Sequence, residues 1–188
     1  MKVFESKFSK EELNPINEVI QTGQLGFGPN VLEFEKQFQP FSNKKYNVAT
    51  NSASASAFMI FAYLKEKYGA CDIYSDGGVT PILMPILYGG VSNIPGFDNI
   101  EGGYNEVVVV DSAHCVTPTI KCNFSFFSFH PYKPICSSDG GMISTDDLDA
   151  TEYFQNYRNF GRQNVNGSYD ITQEGFKFYM NNLNATIA

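Results

Sequence analysis

The sequence lacks several residue types that would point to particular kinds of site. It has no tryptophan, only two histidines and only four cysteines among 188 residues. The cysteines show no Cys-x-x-Cys spacing, and so few imidazoles argue against a zinc site, so we expect no bound metal. The thiols are most simply reduced, as in a cytosolic protein.

Basic residues and long apolar runs are also scarce. Thirteen Lys and Arg residues face twenty Asp and Glu, giving a net charge of −7, which argues against nucleic acid or an anionic membrane as a partner. A phosphate-bearing ligand is still compatible, because amide dipoles at a helix N-terminus act locally. No signal-like apolar segment follows Met1, and no run is long enough to span a bilayer, so we expect a cytoplasmic protein.

What is present fits one α/β domain covering residues 1–188. A hydrophobic fraction of 43% is enough for a sizeable core, and this length favours a single domain. Helical spacing and strand patterns alternate along the chain, which predicts a mostly parallel sheet. The predicted helices are 9–22, 29–40, 53–68, 146–160 and 181–188, and the predicted strands are 46–50, 82–87, 107–110, 123–129 and 142–144.

The most informative segment joins four valines to an acid. Val107–Val110 predicts a central strand buried on both faces, and Asp111 follows at its carboxyl end, where α/β sheets bind ligands. A carboxylate held there needs a partner, such as a protonated pyridine nitrogen, and Lys133 further along could form a Schiff base. Together they indicate pyridoxal 5'-phosphate. The alternatives are a capping or loop aspartate and an ordinary exposed lysine.

Further segments follow a recognisable order. They are Gly23–Pro29 with Phe34-Glu35, Asn51–Ala55, Asp111-Ser112-Ala113-His114, Ser128–Lys133, Asp139–Met142, Arg158–Arg162 and Gly175–Asn181. In this order they resemble the DegT/StrS-type family of pyridoxal-phosphate-dependent sugar aminotransferases. That family has Asp-Ala-Ala-His or Asp-Ala-Ala-Gln after a strand, and then Ser-Phe-His-Pro-x-Lys. The resemblance implies the three-layer large domain of fold-type I transferases.

The resemblance also implies catalytic roles at the end of the valine strand. Asp111 would face the pyridine nitrogen, Lys133 would be the Schiff-base lysine, and His114 would lie beside the cofactor ring. A purely structural histidine is the alternative for His114.

The same resemblance implies a phosphate site. Ala53, Ser54 and Ser128 would bind the cofactor phosphate, and Lys177 would cross a homodimer interface toward the partner's phosphate. Plain helix capping by Ser52 or Ser54 and a solvated surface lysine at position 177 are the alternatives.

The implied reaction is amination of a nucleotide-linked keto-sugar, with glutamate as donor. Related dehydratases carry histidine in place of the lysine, so Lys133 favours transamination. Two departures stand out: family chains continue into a C-terminal small domain, absent here, and only Cys71–Val79 fills a normally longer stretch. The alternatives are therefore an impaired remnant or fragment acting as a binding or scaffold protein, and another fold-type I enzyme such as a lyase.

Overall fold

The computed structural model of the chain describes residues 9–69, 107–116, 122–165 and 167–188. The predicted strand 82–87 and the contracted stretch 71–79 lie outside these residues. The described helices are α1 (Lys10–Thr22), α2 (Pro29–Gln37), α3 (Gln39–Ser42), α4 (Ala53–Tyr68), α5 (Leu148–Tyr157) and α6 (Asn182–Ile187). The described strands are β1 (Tyr46–Thr50), β2 (Val109–Asp111), β3 (Phe124–Ser128), β4 (Gly141–Thr145), β5 (Arg162–Val165) and β6 (Ser168–Ile171).

The first four strands form one mixed sheet in the order β1-β4-β3-β2. Strand β4 is antiparallel to both of its neighbours, β1 and β3, while β2 is parallel to β3. Three of these four strands therefore point the same way, which confirms the predicted α/β class. The exception is β4, because the chain returns from β3 through a connection that contains no helix, and such connections join antiparallel strands.

Helices cover both faces of this sheet because side chains alternate along each strand. On β3, Phe124 and Phe126 pack with residues of α4 and α5, whereas Phe127 packs with residues of α2 and α6. Strand β4 divides in the same way, with Ile143 on the first face and Met142 on the second. The two buried clusters give the three layers that the sequence analysis expected.

The valine strand differs from its prediction. It begins at Val109 instead of Val107, and Val109 and Val110 are half-buried where burial on both faces was expected. Val108 is 37% exposed. Strand β2 holds an outer position in the described sheet, with β3 as its one neighbour among the described strands, so the pattern of four valines overestimated its burial.

Two local elements of the structure differ from those predicted from the sequence. Helix α2 ends at Gln37, and Pro40, which was expected to end it, lies in the first turn of α3, where proline is tolerated. The antiparallel hairpin β5–β6 was not predicted. Within the described residues, no helix combines the length and apolar character needed to cross a membrane.

Candidate active site

The sheet gathers three of the sequence motifs at one edge. Strands β1, β2 and β3 point the same way and end at Thr50, Asp111 and Ser128. The register pairs Ser128 with Gly141 and Gly141 with Thr50, so these ends lie side by side. The turn after β1, the Asp111 segment and the lysine loop after β3 therefore leave the sheet at the same edge, where α/β proteins bind ligands.

The turn after β1 forms an anion-binding geometry at the start of α4. Ser52 has an extended backbone, with φ −168°, and its Oγ accepts a hydrogen bond from Ala55 N–H at 3.1 Å. Ser52 is therefore the N-cap, which leaves Ser54 exposed in the first helical turn. First-turn N–H groups, such as those of Ala53 and Ser54, have no intrahelical acceptor and attract anions.

Gly141 brings β4 directly against this turn. A Cβ atom there would lie 2.5 Å from the carbonyl carbon of Ser52 and 2.6 Å from the nitrogen of Ala53, closer than real contacts allow. Ser128 is the residue paired with Gly141 on β3, so its half-buried side chain flanks the same turn. Gly141 thus has a steric reason, which is to let the start of α4 rest on the sheet.

Asp111 is held in a tight turn at the end of β2. Its Oδ1 accepts a hydrogen bond from Ala113 N–H at 2.9 Å, and Ser112 N–H donates to the Phe126 carbonyl at 2.9 Å. The side chain of Asp111 is exposed. The turn fixes the carboxylate beside β3 and directs the chain toward His114.

Lys133 meets His114 across the edge of the sheet. The two side chains join at Lys133 Nζ and His114 Nε2, which are 2.8 Å apart. The Lys133 N–H donates to the His130 carbonyl at 2.8 Å, which closes a turn within the loop. Lys133 is half-buried and has a side-chain partner, unlike the ordinary exposed lysine that was the alternative.

Lys177 lies near the turn after β1, but its amine points elsewhere. Its carbonyl accepts a hydrogen bond from Asn51 Nδ2 at 3.2 Å, so its backbone borders the turn. Its exposed side chain packs on Tyr179, with Nζ 4.6 Å from the ring centroid. The structure therefore brings Ala53, Ser54 and Ser128 together, whereas the Lys177 amine stays on the surface of its own chain.

Sequence reasoning missed a buried ion pair behind the turn. Arg158 Nη1 donates to Glu35 Oε1, and also to the Ala49 carbonyl at 2.7 Å. The same carboxylate oxygen accepts a hydrogen bond from Ala49 N–H at 2.8 Å. Both charged residues lie inside family-like segments, which was the available signal, but nothing in the sequence shows that they pair.

One described cavity lies away from these residues. A cavity of about 290 Å³ opens at the opposite edge, beside Asn123 and Asp146, and contains none of the residues above. Within the described segments, no group of three or more His, Cys, Asp or Glu side chains is arranged to hold a metal ion.

Known proteins resemble this chain in sequence and in fold. A sequence model described as the DegT/DnrJ/EryC1/StrS aminotransferase family matches residues 6–73 and 79–188. The match leaves out residues 74–78, within the stretch where the sequence analysis located a contraction. It covers every residue assigned above to the candidate site.

Individual relatives are longer than this chain. The spore coat polysaccharide biosynthesis protein SpsC of Bacillus subtilis (strain 168) is 26% identical over 236 residues, covering 95% of this chain and 60% of that protein. Among solved structures, the putative sugar aminotransferase Spr1654 of Streptococcus pneumoniae in its PMP form has a TM-score of 0.78 at 14% identity, covering 100% of this chain and 64% of that one. GDP-4-keto-6-deoxymannose-3-dehydratase (ColD), a mutant with bound GDP-perosamine, has a TM-score of 0.81 at 17% identity, covering 98% and 66%. The chain thus spans about 60% of the length of the curated relative.

Proposed function

Because the chain belongs to the DegT/DnrJ/EryC1/StrS aminotransferase family, we propose that it serves in pyridoxal-phosphate-dependent transfer of an amino group from glutamate to a nucleotide-linked keto-sugar. One observation carries the proposal, namely that an anion-binding helix start, a carboxylate and a partnered lysine leave one edge of the sheet together. SpsC acts in polysaccharide biosynthesis by name, and the ColD structure holds a nucleotide sugar, so both support a sugar-nucleotide substrate.

The residues at this edge fit the charges of pyridoxal phosphate. First-turn N–H groups and the Ser54 hydroxyl suit its phosphate, with the Ser128 hydroxyl beside them. Asp111 would hold the proton on the pyridine nitrogen by charge attraction. Bound in this way, the cofactor supplies an electron sink for reactions at the carbon that carries the amino group.

Lys133 would have two tasks in this reaction. Its amine would attach the cofactor covalently, and after release it would carry a proton between the carbon atoms of cofactor and substrate. Its partial burial in a turn between Pro131 and Pro134 fixes the start of the side chain. His114 would lie beside the cofactor ring, since its turn follows Asp111 directly.

The residue at position 133 distinguishes aminotransferases from dehydratases within the family. Dehydratases have histidine where this chain has Lys133, and a primary amine is what amino transfer requires. The proposal is therefore transamination, although a dehydratase is among the structures of the same fold.

A homodimer is part of the proposal. Tyr169 and Ile171 on the β5–β6 hairpin are 72% and 71% exposed, and Phe176, next to Lys177, is 48% exposed. Large exposed apolar side chains of this kind are typical of protein interfaces. A partner covering them would bring Lys177 toward the partner's site. Light scattering across micromolar concentrations should give a dimer mass, and a monodisperse monomer would contradict the assembly.

Three measurements test the function in order. Titration with pyridoxal phosphate should produce a visible absorbance band, and borohydride should fix the cofactor to the chain. Glutamate should then convert the band to that of the pyridoxamine form. A nucleotide-linked 4-keto-sugar should finally restore the first band, with an amino sugar detected by mass spectrometry. Cofactor binding without amino transfer would favour the binding-protein alternative, and loss of a sugar hydroxyl without amination would favour a dehydratase or lyase.

A further inference from the structure

The contact between His114 and Lys133 points to a role for His114 in addition to its proposed place beside the cofactor ring. We propose that His114 is a positioning residue for Lys133: its Nε2 atom holds the amine at the sheet edge and accepts the proton that the amine must lose before it can act as a nucleophile. The proposal deepens the function proposed above and rests on it. Measurements on the chain with and without pyridoxal phosphate distinguish failure of the pairing from failure of the function.

The proposal assigns one role to each of the two nitrogens. Lys133 Nζ and His114 Nε2 are 2.8 Å apart, within range of a direct hydrogen bond. An ammonium group has three donors and no acceptor, so Nε2 must provide the lone pair. In this assignment the imidazole is neutral and carries its proton on Nδ1.

Both side chains are anchored on short, fixed turns. His114 follows the Asp111 turn, which is closed by the 2.9 Å bond from Ala113 N–H. The Lys133 N–H is bound to the His130 carbonyl at 2.8 Å. The two turns extend from the paired strands β2 and β3, so the contact joins neighbouring ends of one sheet. A base held in this way is oriented before any ligand arrives.

The proton transfer balances without an added reactant. Nε2 takes one proton from the Lys133 ammonium, which leaves a lone pair on Nζ and an imidazolium on His114. The lone pair can then form a bond to an aldehyde carbon. As the C=N bond forms, the aldehyde oxygen takes one proton from the Lys133 nitrogen and the proton that the imidazolium returns, and it leaves as water. The nitrogen keeps one proton and its positive charge, and His114 is neutral again. No oxidant or reductant is needed.

The first test observes the histidine in the chain without cofactor. The sequence has only two histidines, so nitrogen-15 NMR of the imidazole rings resolves two systems, and a His130→Gln variant assigns them. We expect neutral His114 to carry its proton on Nδ1. Lys133→Met should change the His114 signals and leave those of His130 in place. A proton on Nε2, or signals unmoved by Lys133→Met, would overturn the proposal.

The second test measures the Lys133 amine. Trace acetylation with acetic anhydride at pH 7, read by mass spectrometry, gives the rate at Lys133 relative to the exposed Lys36 in the same chain. Glutamine can accept the same hydrogen bond but cannot take the proton. We therefore expect His114→Gln to lower the relative rate by about tenfold or more, as loss of a positioned base does, while His130→Gln leaves it unchanged.

Equal relative rates in wild type and His114→Gln would refute the proton-accepting role. Pyridoxal phosphate titration of the wild-type chain is run in parallel. If the cofactor fails to bind while His114 still controls acetylation of Lys133, the proposed function is wrong and the pairing stands. If the cofactor binds and the variant acetylates like wild type, the proposed function stands and the pairing role is wrong.

Discussion

Arg158 forms an ion pair with Glu35 in the interior, where the two side chains are 3% and 9% exposed. The guanidinium also donates to the Ala49 carbonyl at 2.7 Å, one residue before β1 ends. The Arg158 carbonyl accepts hydrogen bonds from the N–H groups of Phe178 and Tyr179 at 2.9 and 3.1 Å. The pair thus links α2, the end of β1, the end of α5 and the Lys177 segment, and it supports the turn after β1 from behind.

We expect Glu35→Gln to destabilise the protein by about 3–5 kcal/mol, because it leaves the Arg158 charge buried without its partner. The substitution keeps the size of the side chain, so a cavity does not contribute. Urea unfolding followed by circular dichroism measures the change.

Glu33→Gln is the matched control, since Glu33 is exposed on the same helix. It should change the unfolding free energy by less than about 0.5 kcal/mol. If both variants lose equal stability, burial of the ion pair is not the reason.

The two serines at the start of α4 should separate stability from ligand binding. Ser52→Ala removes the cap on Ala55 N–H and should cost about 1 kcal/mol. Ser54→Ala should leave stability nearly unchanged, because Ser54 is exposed and has no side-chain bond in the described structure, but it should weaken pyridoxal phosphate binding.

Urea unfolding and cofactor titration of both variants give the comparison. If Ser54→Ala is the destabilising change and Ser52→Ala is not, the cap is misassigned.

The sequence predicted local elements better than long-range pairing. Strand β1 was placed at its observed bounds, and α4 was predicted with two possible caps, because alternation and capping are local signals. The sequence could not show that Glu35 pairs with Arg158, or that His114 contacts Lys133, since such contacts depend on how segments far apart in the chain pack together. The reversed direction of β4 was missed for the same reason. The order of the motifs indicated which residues form the candidate site. Only the strand register showed that these residues lie at the same edge of the sheet.

Low pH should destabilise the N-terminus of α5, because the Asp147 carboxylate becomes protonated. Burial raises the pKa of Asp147, but the N–H of Ala150 and the Lys67 ammonium outweigh it, so the folded-state pKa lies below its usual value. A lowered pKa means that the stabilisation is present above the unfolded value of about 3.9 and is lost as the pH falls through that value and then the folded one.

We expect Asp147→Asn, which keeps a capping side chain, to be less stable than wild type at pH 7 by at most about 1 kcal/mol, because the site is about one-third exposed. The difference should shrink as the pH falls below about 3.9. Urea unfolding across this range tests it, with the exposed Asp149→Asn as control. A difference that stays constant with pH would exclude the carboxylate as its source.

Replacing Lys133 should remove covalent attachment of the cofactor and leave the fold intact. The side chain lies in the loop after β3, outside both buried clusters, so Lys133→Ala should change the unfolding free energy by less than about 0.5 kcal/mol. The variant should show no visible Schiff-base absorbance and no mass increase after borohydride. Lys36→Ala, which removes an exposed lysine from α2, should behave like wild type.

The noncovalent site should survive in the same variant. The first-turn N–H groups of α4 and the Asp111 carboxylate do not depend on the lysine, so equilibrium dialysis should still detect bound pyridoxal phosphate, at lower affinity. A Lys133→Ala chain that keeps the absorbance band and the borohydride-fixed mass would show that another amine holds the cofactor. If equilibrium dialysis detects no pyridoxal phosphate bound to the variant, the turn after β1 and Asp111 cannot hold the cofactor without the covalent bond.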